Sequence, residues 1–216
     1  MKMDAAGLEI HNLKAFGVFD GPDVLEVGCG DGRVTAALSG NVACLVALDP
    51  CARDIQRAAG RLREPLFSRA SGEQLPFRDN CFDTILFTLS LHHQNSRLAL
   101  GEAVRVLRPA GRIIVMEPAV DGEVQQLFHC FHDETPALEA ALDAIAASSQ
   151  RVRRVLQFET DWEFDHKHEL SRYMFAYHAQ TREPEMEARL FRQLGQKADH
   201  EPLILKERIT LLDLVV

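Results

Sequence analysis

VLEVGCGDGR, residues 24–33, is the stretch of sequence that decides the fold. Its first four residues predict a buried strand, and a helix is expected to begin near Val34. Between these elements Gly28, Gly30 and Gly32 alternate with other residues. Only glycine lets a backbone turn so tightly and approach a ligand so closely. We therefore expect a ligand at the carboxyl end of this strand, where open α/β sheets bind their cofactors.

Outward from this stretch, short apolar runs alternate with helical segments. This alternation is typical of a parallel sheet with crossover helices, and the strands are apolar almost throughout, as strands covered on both faces must be. It predicts a Rossmann-like, doubly wound α/β fold with a mostly parallel sheet of about seven strands. The expected strands are 24–27, 44–49, 67–69, 84–88 and 112–117, with helices after the first two and over 99–107.

The second half of the chain has a different pattern. Residues 121–150 carry apolar side chains at helical spacing that is broken at Pro136, which predicts two helices or one bent helix. Strands are expected over 152–164 and 203–216, and helices over 169–179 and 185–194. The 216 residues are enough for one well-buried core, so a single domain over 1–216 is expected.

Composition narrows the class of protein. The chain is 46% hydrophobic and 26% charged, which is typical of a soluble globular protein. Its formal net charge of -8 lacks the basic footprint of a nucleic-acid binder, so a small-molecule substrate is favoured. No apolar stretch approaches the ~20 residues of a membrane span. The five cysteines show no CxxC spacing, which indicates a reducing cytoplasm.

The spacing of the glycine loop bears on the cofactor. A dinucleotide fingerprint GxGxxG would place glycine at position 33, where this chain has Arg33, so the nicotinamide interpretation is weakened. Glu26, Gly28, Gly30 and Gly32 together resemble motif I of class I methyltransferases that depend on S-adenosylmethionine (SAM). The resemblance implies that these residues line the methionine portion and the ribose of SAM.

Asp49 ends the second predicted strand. An ionised carboxylate only accepts hydrogen bonds, and a ribose diol supplies two donors. By the same resemblance, Asp49 holds the adenosine ribose and Pro50 lies beside the adenine. The alternative is an Asp-Pro turn after a strand, which is common.

GEQLPFRDNCFD, residues 72–83, resembles a segment of small-molecule methyltransferases of type 11, the ubiquinone and menaquinone biosynthesis branch. Those enzymes usually carry an aspartate at the position of Ser71. The adenine contact therefore falls to Ser71 or to the backbone of Gly72 and Glu73, and Thr88 completes the expected cofactor site. The resemblance extends through residues 91–93 and 106–112, covers about residues 24–117, and places a substrate cover over 119–205 beyond a cofactor core of 23–118.

The catalytic residue is left open. Methyl transfer from a sulfonium chiefly requires alignment of donor and acceptor, and a base is needed only where the acceptor holds a proton. His92 and His93 follow the fourth strand and are weak candidates, because this pair occurs widely in the resembling family without acting as a base. His129, His132 and Asp133 could share one face of a helix, but lining a substrate pocket is favoured and no metal is expected.

Aromatic residues are concentrated in the later segment, at Trp162, Phe164, Tyr173, Phe175 and Tyr177. They could stack on a planar acceptor or hold a cationic one. The alternative is a helix that packs on the sheet, with Tyr173 and Tyr177 four residues apart on one face.

These observations predict an enzyme that moves a methyl group from SAM to an O, N or C atom of a small organic acceptor, leaving S-adenosylhomocysteine. The alternatives are a SAM-binding regulatory or assembly protein without methyl transfer and a nicotinamide-dependent oxidoreductase. A monomer and a homodimer both fit a chain of this size. From the resembling family we expect residues 1–20 to help close the cofactor cleft.

Overall fold

The computed structural model describes residues 1–17, 19 and 21–215. Val18, Asp20 and Val216, which belong to the segments predicted over 1–20 and 203–216, lie outside the described residues. The strands are β1 (Lys2–Met3), β2 (Asp23–Val27), β3 (Cys44–Asp49), β4 (Leu66–Arg69), β5 (Phe82–Thr88), β6 (Leu107–Pro118), β7 (Arg151–Phe164) and β8 (Leu203–Val215). The helices are α1 (Leu8–Phe16), α2 (Arg33–Leu38), α3 (Ala52–Arg61), α4 (Ser96–Val106), α5 (Glu123–Phe128), α6 (Thr135–Ala146), α7 (Lys167–Tyr177) and α8 (Pro184–Leu194).

The strands follow the order β1-β7-β8-β6-β5-β2-β3-β4 in the sheet. The five strands from β2 to β6 pair in parallel, β5 with β6, β2 with β5, β3 with β2 and β4 with β3. Successive parallel strands need crossover connections, and α2, α3 and α4 provide them. The predicted Rossmann-like, doubly wound fold is therefore confirmed, with eight strands in the described residues where about seven were expected.

Two compact units are defined by the contacts within the chain. The core unit contains Ile10–Glu117, Glu139–Leu156 and the chain from Thr210 onward. The accessory unit contains Met1–Glu9, Pro118–Leu138 and Gln157–Ile209. This division into two units does not test the prediction of a single domain, which stays a prediction.

The core unit is held by apolar strands that are covered on both faces. Five side chains of β2 and β5 have no exposed surface: Val24, Leu25, Ile85, Leu86 and Phe87. Leu25, Ile85 and Phe87 form one apolar cluster with residues of helix α4 and strand β6, namely Ala99, Leu100, Ala103, Val106, Ile113 and Val115. Burial of each such side chain stabilises the fold by roughly 1.5–3 kcal/mol, so this layer fixes the strand ends on which the glycine loop stands.

The accessory unit has its own apolar cluster. Phe164, Leu170, Met174, Leu190 and Leu203 are fully buried there. They come from β7, α7, α8 and β8, so the predicted strand and helix segments of the second half are confirmed with small shifts of their ends.

The sequence predicts that Pro136 interrupts the helical segment 121–150, and this position of the interruption is wrong. Helix α5 ends at Phe128 and α6 begins at Thr135, so the break lies over residues 129–134. Pro136 occupies the first turn of α6, where its missing N–H is one that the helix leaves unbonded anyway.

Strand β6 begins earlier than expected, at Leu107 rather than residue 112. Its pairing with β5 shifts in register between Phe82 and Thr84, which face Leu107 and Arg112. Ala110 lies in this shift with a φ of 64°, so the predicted turn is present as an irregularity within the strand. Among the described residues, no helix is long and apolar enough to cross a membrane.

Phe87→Ala tests the core. The side chain is fully buried in β5, so its removal should lower the free energy of unfolding by about 3–5 kcal/mol. Urea denaturation followed by circular dichroism measures the change. Leu66→Ala, at a side chain that is 63% exposed, is the control and should change stability by less than about 0.5 kcal/mol. Equal effects of the two substitutions would contradict this account of the core.

Candidate functional site

The glycine loop follows β2 with all three glycines in the left-handed region. The φ angles are 79° for Gly28, 53° for Gly30 and 87° for Gly32. The amides of Gly28 and Cys29 both donate to the carbonyl of Leu48 in β3, at 2.8 and 3.0 Å. These bonds tie the loop to the neighbouring strand, and α2 begins directly after it at Arg33.

Gly28 and Gly30 have different surroundings. A Cβ at Gly28 would lie 2.4 Å from the Cβ of Ser90, whose hydroxyl donates to the carbonyl of Val27 at 2.6 Å. A Cβ at Gly30 would meet nothing within 4 Å, so open space lies beside this part of the loop. There is therefore space at Gly30 for the close approach of a ligand to the backbone that the sequence predicts.

Asp49 stands at the end of β3 and is joined directly to the loop. Its Oδ2 accepts from the amide of Gly30 at 2.9 Å, and its Oδ1 accepts from the amide of Cys51 at 2.8 Å. Each carboxylate oxygen has a second lone pair. The half-buried carboxylate is thus fixed in orientation while it keeps acceptor capacity for two more donors.

Glu26 lies within β2 and has no exposed surface. Its two oxygens accept from the hydroxyls of Thr35, at 2.6 Å, and Thr88, at 3.0 Å. Burial raises the pKa of Glu26 to about 7, although these two hydrogen bonds oppose the shift. Thr88 was predicted as a cofactor residue, and its hydroxyl is directed to Glu26 in this structure.

Residues 71–73 pack beside the same strand end. Gly72 is buried, and a Cβ there would lie 2.7 Å from the Val27 side chain. Ser71 and Glu73 are exposed, with the Ser71 hydroxyl accepting from the Glu73 amide at 3.2 Å. The Glu73 carboxylate accepts from the amide of Asn95 at 2.7 Å, which secures this loop to the start of α4.

Pro50 is exposed beside Asp49, and its carbonyl accepts from the Arg69 side chain at 3.0 Å. The structure thus joins Gly30 to Asp49 and Glu26 to Thr88 by direct hydrogen bonds. Pro50 follows Asp49 in the chain, and residues 71–73 meet the strand end through Val27.

The two histidines after β5 differ in their environment. His92 is buried and His93 is exposed, and their ring centroids are 3.9 Å apart. The Nδ1 atom of His92 lies 2.5 Å from Oε2 of Glu117, at the end of β6. A buried imidazole and a buried carboxylate are thereby paired in the core unit.

Sequence reasoning missed Thr35, Ser90 and Glu117. Thr35 and Ser90 are small polar residues whose roles depend on contacts with Glu26 and Val27 of β2. Glu117 carried a usable signal, because it is an ionisable residue at the carboxyl end of a predicted apolar strand beside the strand that precedes His92.

In the accessory unit, the prediction that His129, His132 and Asp133 lie on one helix is wrong. The segment 129–134 connects α5 to α6. His129 Nε2 lies 3.1 Å from both the Thr135 hydroxyl and the Asp133 carboxylate, and Asp133 also accepts from the Thr135 amide. These contacts cap the start of α6, because they satisfy an amide that the helix leaves unbonded.

The predicted aromatic concentration forms a connected cluster in the accessory unit. Tyr173 lies between Trp162 and Tyr177, with ring centroids 5.6 and 5.8 Å away. Phe128 closes the set, at 6.4 Å from Trp162 and 5.2 Å from Tyr177. Burial raises the pKa of Tyr177 to about 12. Phe128 belongs to the apolar cluster of this unit, and Trp162 and Tyr173 pack against it, as the packing alternative predicted. A role of the aromatic residues in acceptor binding stays a prediction.

A glycine loop after the first parallel strand, joined to an acidic residue at the end of the next, is typical of α/β folds that bind nucleotide-containing cofactors. Residues 25–115 match the family model described as a methyltransferase domain. The resemblance of this central part of the chain to class I methyltransferases is therefore confirmed.

Relatives and solved structures agree with this assignment. The chain is 36% identical over 107 residues to a demethylmenaquinone methyltransferase of Tropheryma whipplei, covering 48% of this chain and 45% of that protein. It thus spans less than half the length of this curated relative. The YcgJ protein of Bacillus subtilis has the same fold, with a TM-score of 0.70, 18% identity and coverage of 97% and 96%. A geranyl diphosphate methyltransferase solved with SAM matches with a TM-score of 0.59, 15% identity and coverage of 97% and 83%.

Glu26→Gln should remove a pH dependence of stability. Burial raises the pKa of Glu26 from 4.5, the ordinary value of a glutamate, to about 7 in the folded chain. Between these values only the folded state holds the proton, so the contribution is complete below about pH 4.5 and is lost as the pH rises to about 7. The free energy of unfolding of the wild type, minus that of Glu26→Gln, should fall by about 3 kcal/mol across this window.

Chemical denaturation at a series of pH values measures this difference. The buried Glu207, whose pKa burial raises to about 8, is present in both proteins and cancels. A difference that is constant with pH would contradict the buried, perturbed state of Glu26.

Gly28→Ala should destabilise the loop more than Gly40→Ala does. Both glycines have a positive φ, 79° and 81°, but a Cβ at Gly40 meets nothing within 4 Å while one at Gly28 meets Ser90. In both variants the alanine has to adopt the left-handed backbone conformation, which lowers the free energy of unfolding by ~1–2 kcal/mol. At Gly28 alone, the contact with Ser90 lowers it by roughly 1–3 kcal/mol more. Thermal and urea unfolding compare the two, and equal losses would rule out the clash with Ser90.

Proposed function

We propose that this chain binds SAM at the glycine loop and transfers its methyl group to an O, N or C atom of a small organic acceptor, releasing S-adenosylhomocysteine. The observation that carries the proposal is the hydrogen bond between Asp49 and the Gly30 amide. It holds a carboxylate with spare acceptor capacity against a glycine loop with open space beside it. When bound, SAM supplies a methyl group made electrophilic by its sulfonium.

The residues around Asp49 fit the adenosine part of SAM. Two ribose hydroxyls are donors that match the remaining lone pairs of Asp49. The exposed Pro50 offers an apolar surface next to Asp49, and Ser71, Gly72 and Glu73 offer a hydroxyl and backbone groups for the adenine.

The amino-acid end of SAM is assigned to the loop itself. Gly28, Gly30 and Gly32 hold the backbone in the left-handed turn that precedes α2. Glu26 stabilises the elements on either side of this turn, because its carboxylate accepts hydrogen bonds from Thr35 in α2 and Thr88 in β5. Glu26 and Thr88 are therefore assigned to shaping the site, and the glycines to direct backbone contact.

The comparisons support the reaction class more than the acceptor. A relative named demethylmenaquinone methyltransferase and a structural neighbour solved with SAM both favour methyl transfer from SAM. The small acceptor, the monomeric or dimeric state and the cytoplasmic location are parts of the proposal that derive from composition and size.

Isothermal titration with SAM and S-adenosylhomocysteine tests the cofactor site. We expect micromolar binding to the wild type and about 10–100-fold weaker binding to Asp49→Ala, since a hydrogen bond to a charged group contributes about 1.5–3 kcal/mol. Asp143→Ala, at an exposed carboxylate of α6, is the matched control and should bind like the wild type. Circular dichroism of each variant verifies that it is folded.

Absence of binding to the wild type would overturn the proposal. Labelled SAM incubated with a panel of small acceptors then separates an enzyme from a binding protein, because only an enzyme yields a labelled product. Binding of a reduced nicotinamide dinucleotide in place of SAM would favour an oxidoreductase.

A further inference from the structure

The sheet has one long edge that is only partly covered. Strand β7 has 14 residues, and its outer neighbour β1 has 2, which pair with Trp162 and Glu163. In the part of the chain that the structure describes, no strand pairs with residues 151–160 on this side. A long strand with an open edge is a template for another strand.

The hydrogen bonds of the covered part show which backbone groups of β7 are directed to this edge. The carbonyl of Asp161 accepts from the amide of Asp4, on the side of β1. In an antiparallel pair, every second residue directs both its N–H and its C=O group to the same neighbour. Arg153, Val155 and Glu159 therefore direct theirs to the open edge, in register with Asp161.

The charged side chains along β7 are sorted by sign. Arg151 and Arg153 lie in its first half, and Glu159 and Asp161 lie in its second half. All four have odd numbers, so they lie on one face of the strand. Arg151, Arg153 and Glu159 are exposed, and the carboxylate of Asp161 is 45% exposed. An antiparallel copy of β7 would therefore place opposite charges across from each other, whereas a parallel copy would place like charges there.

We propose that the open edge of β7 is the interface of a homodimer, in which two copies of the strand pair antiparallel about a two-fold axis at Leu156. In this register Arg151 lies opposite Asp161 of the partner, and Arg153 lies opposite Glu159 of the partner. Each ion pair is formed twice, because a two-fold interface is self-complementary. The inference is independent of the proposed function, which holds for a monomer and a dimer alike.

Neighbouring registers are less complementary. An axis one residue earlier, at Val155, keeps a single kind of ion pair, between Arg151 and Glu159. An axis one residue later moves Arg151 opposite Glu163, where β1 occupies the edge and Lys2 binds the carboxylate at 2.9 Å. Each alternative leaves one kind of ion pair on the open edge, and the axis at Leu156 has two.

The ion pairs select the register more than they supply affinity. Lys206 binds Asp161 at 2.6 Å, and Arg208 lies 3.8 Å from Glu159, so the arginines of the partner would share these carboxylates. Exposed ion pairs are individually weak and are screened by salt. Affinity is therefore assigned to the backbone hydrogen bonds and to apolar contacts.

An open cavity of about 320 Å³ beside this edge provides the apolar contact. Phe16 of α1 lines it, together with Arg154 and Leu156 of β7. The guanidinium carbon of Arg154 lies 3.8 Å from the centre of the Phe16 ring. In the proposed register Phe158 of the partner lies opposite Arg154, and the two copies of Leu156 face each other. Phe158 is half-buried in one chain, so pairing covers a side chain that a single chain leaves partly in water.

Sedimentation equilibrium and charge exchange test the interface. The wild type should sediment with twice the mass of one chain. Arg151→Glu places a carboxylate opposite Asp161 at both ends of the interface, and it should weaken the dimer by at least about tenfold. Arg151 is chosen because Arg153 also binds the buried Asp213. The double variant Arg151→Glu/Asp161→Arg exchanges the charges, and it should restore the dissociation constant to within about threefold of the wild type.

A mismatched exchange is the control for the register. Arg151→Glu/Glu159→Arg has the same net charge as the double variant above, but it places like charges opposite each other in both kinds of pair. It should therefore remain dissociated. Rescue by this variant in place of the other would move the axis to Val155 and overturn the proposed register. Circular dichroism verifies that each variant is folded.

Oxidative cross-linking tests the position of the axis directly. Leu156 is at a non-hydrogen-bonded position opposite its own copy, where the Cα atoms of an antiparallel pair are about 4.5 Å apart. A disulfide spans that distance. Leu156→Cys should therefore form a covalent dimer on oxidation. Leu66→Cys, at an exposed residue on the opposite edge of the sheet, is the control and should stay a single chain, as should the wild type.

Three results would each overturn the inference. They are a wild type that sediments as a monomer at every concentration, a dimer that Arg151→Glu leaves intact, and equal cross-linking of Leu156→Cys and Leu66→Cys. A monomer that binds labelled hexaglutamate at this edge would also overturn it, and it would assign the edge to an acidic partner of another kind.

Discussion

A carboxylate without exposed surface lies at the centre of the parallel sheet, and the site is arranged around it. Glu26 accepts hydrogen bonds from α2 and from β5, so one side chain ties the first strand, the helix after the glycine loop and the neighbouring strand together. Burying a carboxyl group is costly unless it is hydrogen-bonded or protonated. The hydrogen bonds from the two threonines offset part of that cost, and the remainder is seen in the pKa of Glu26, which burial raises to about 7.

Local patterns predicted the parts of the fold that depend on neighbouring residues in sequence. The apolar runs and the glycine loop fixed β2, β3 and β5 within a few residues, because burial on both faces and positive φ angles leave direct marks on residue choice. Ser90 left no such mark, and Glu117 was marked only as an ionisable residue at the end of an apolar strand. Their partners, Val27 and His92, are distant along the chain, and only the packing of the strands brings them together.

The second half of the chain shows the same limit in another form. The helical periodicity around 121–150 was correct, but a proline in a first helical turn and a proline that breaks a helix look alike in sequence. Asp133 caps the start of α6 and contacts His129, so the two residues do not share one face of a helix. Function is subject to a similar separation, since a fold can fix where a ligand binds without fixing what that ligand is.

The chain has a single tryptophan, Trp162, and it lies in the aromatic cluster of the accessory unit. Intrinsic fluorescence is therefore a local reporter of the accessory unit, whereas far-ultraviolet circular dichroism averages over the helices and strands of the whole chain. Each unit has its own apolar cluster, so the two optical methods can follow separate transitions along one denaturation curve. Where they coincide, the whole chain unfolds cooperatively; where they diverge, the order of melting can be read without a label.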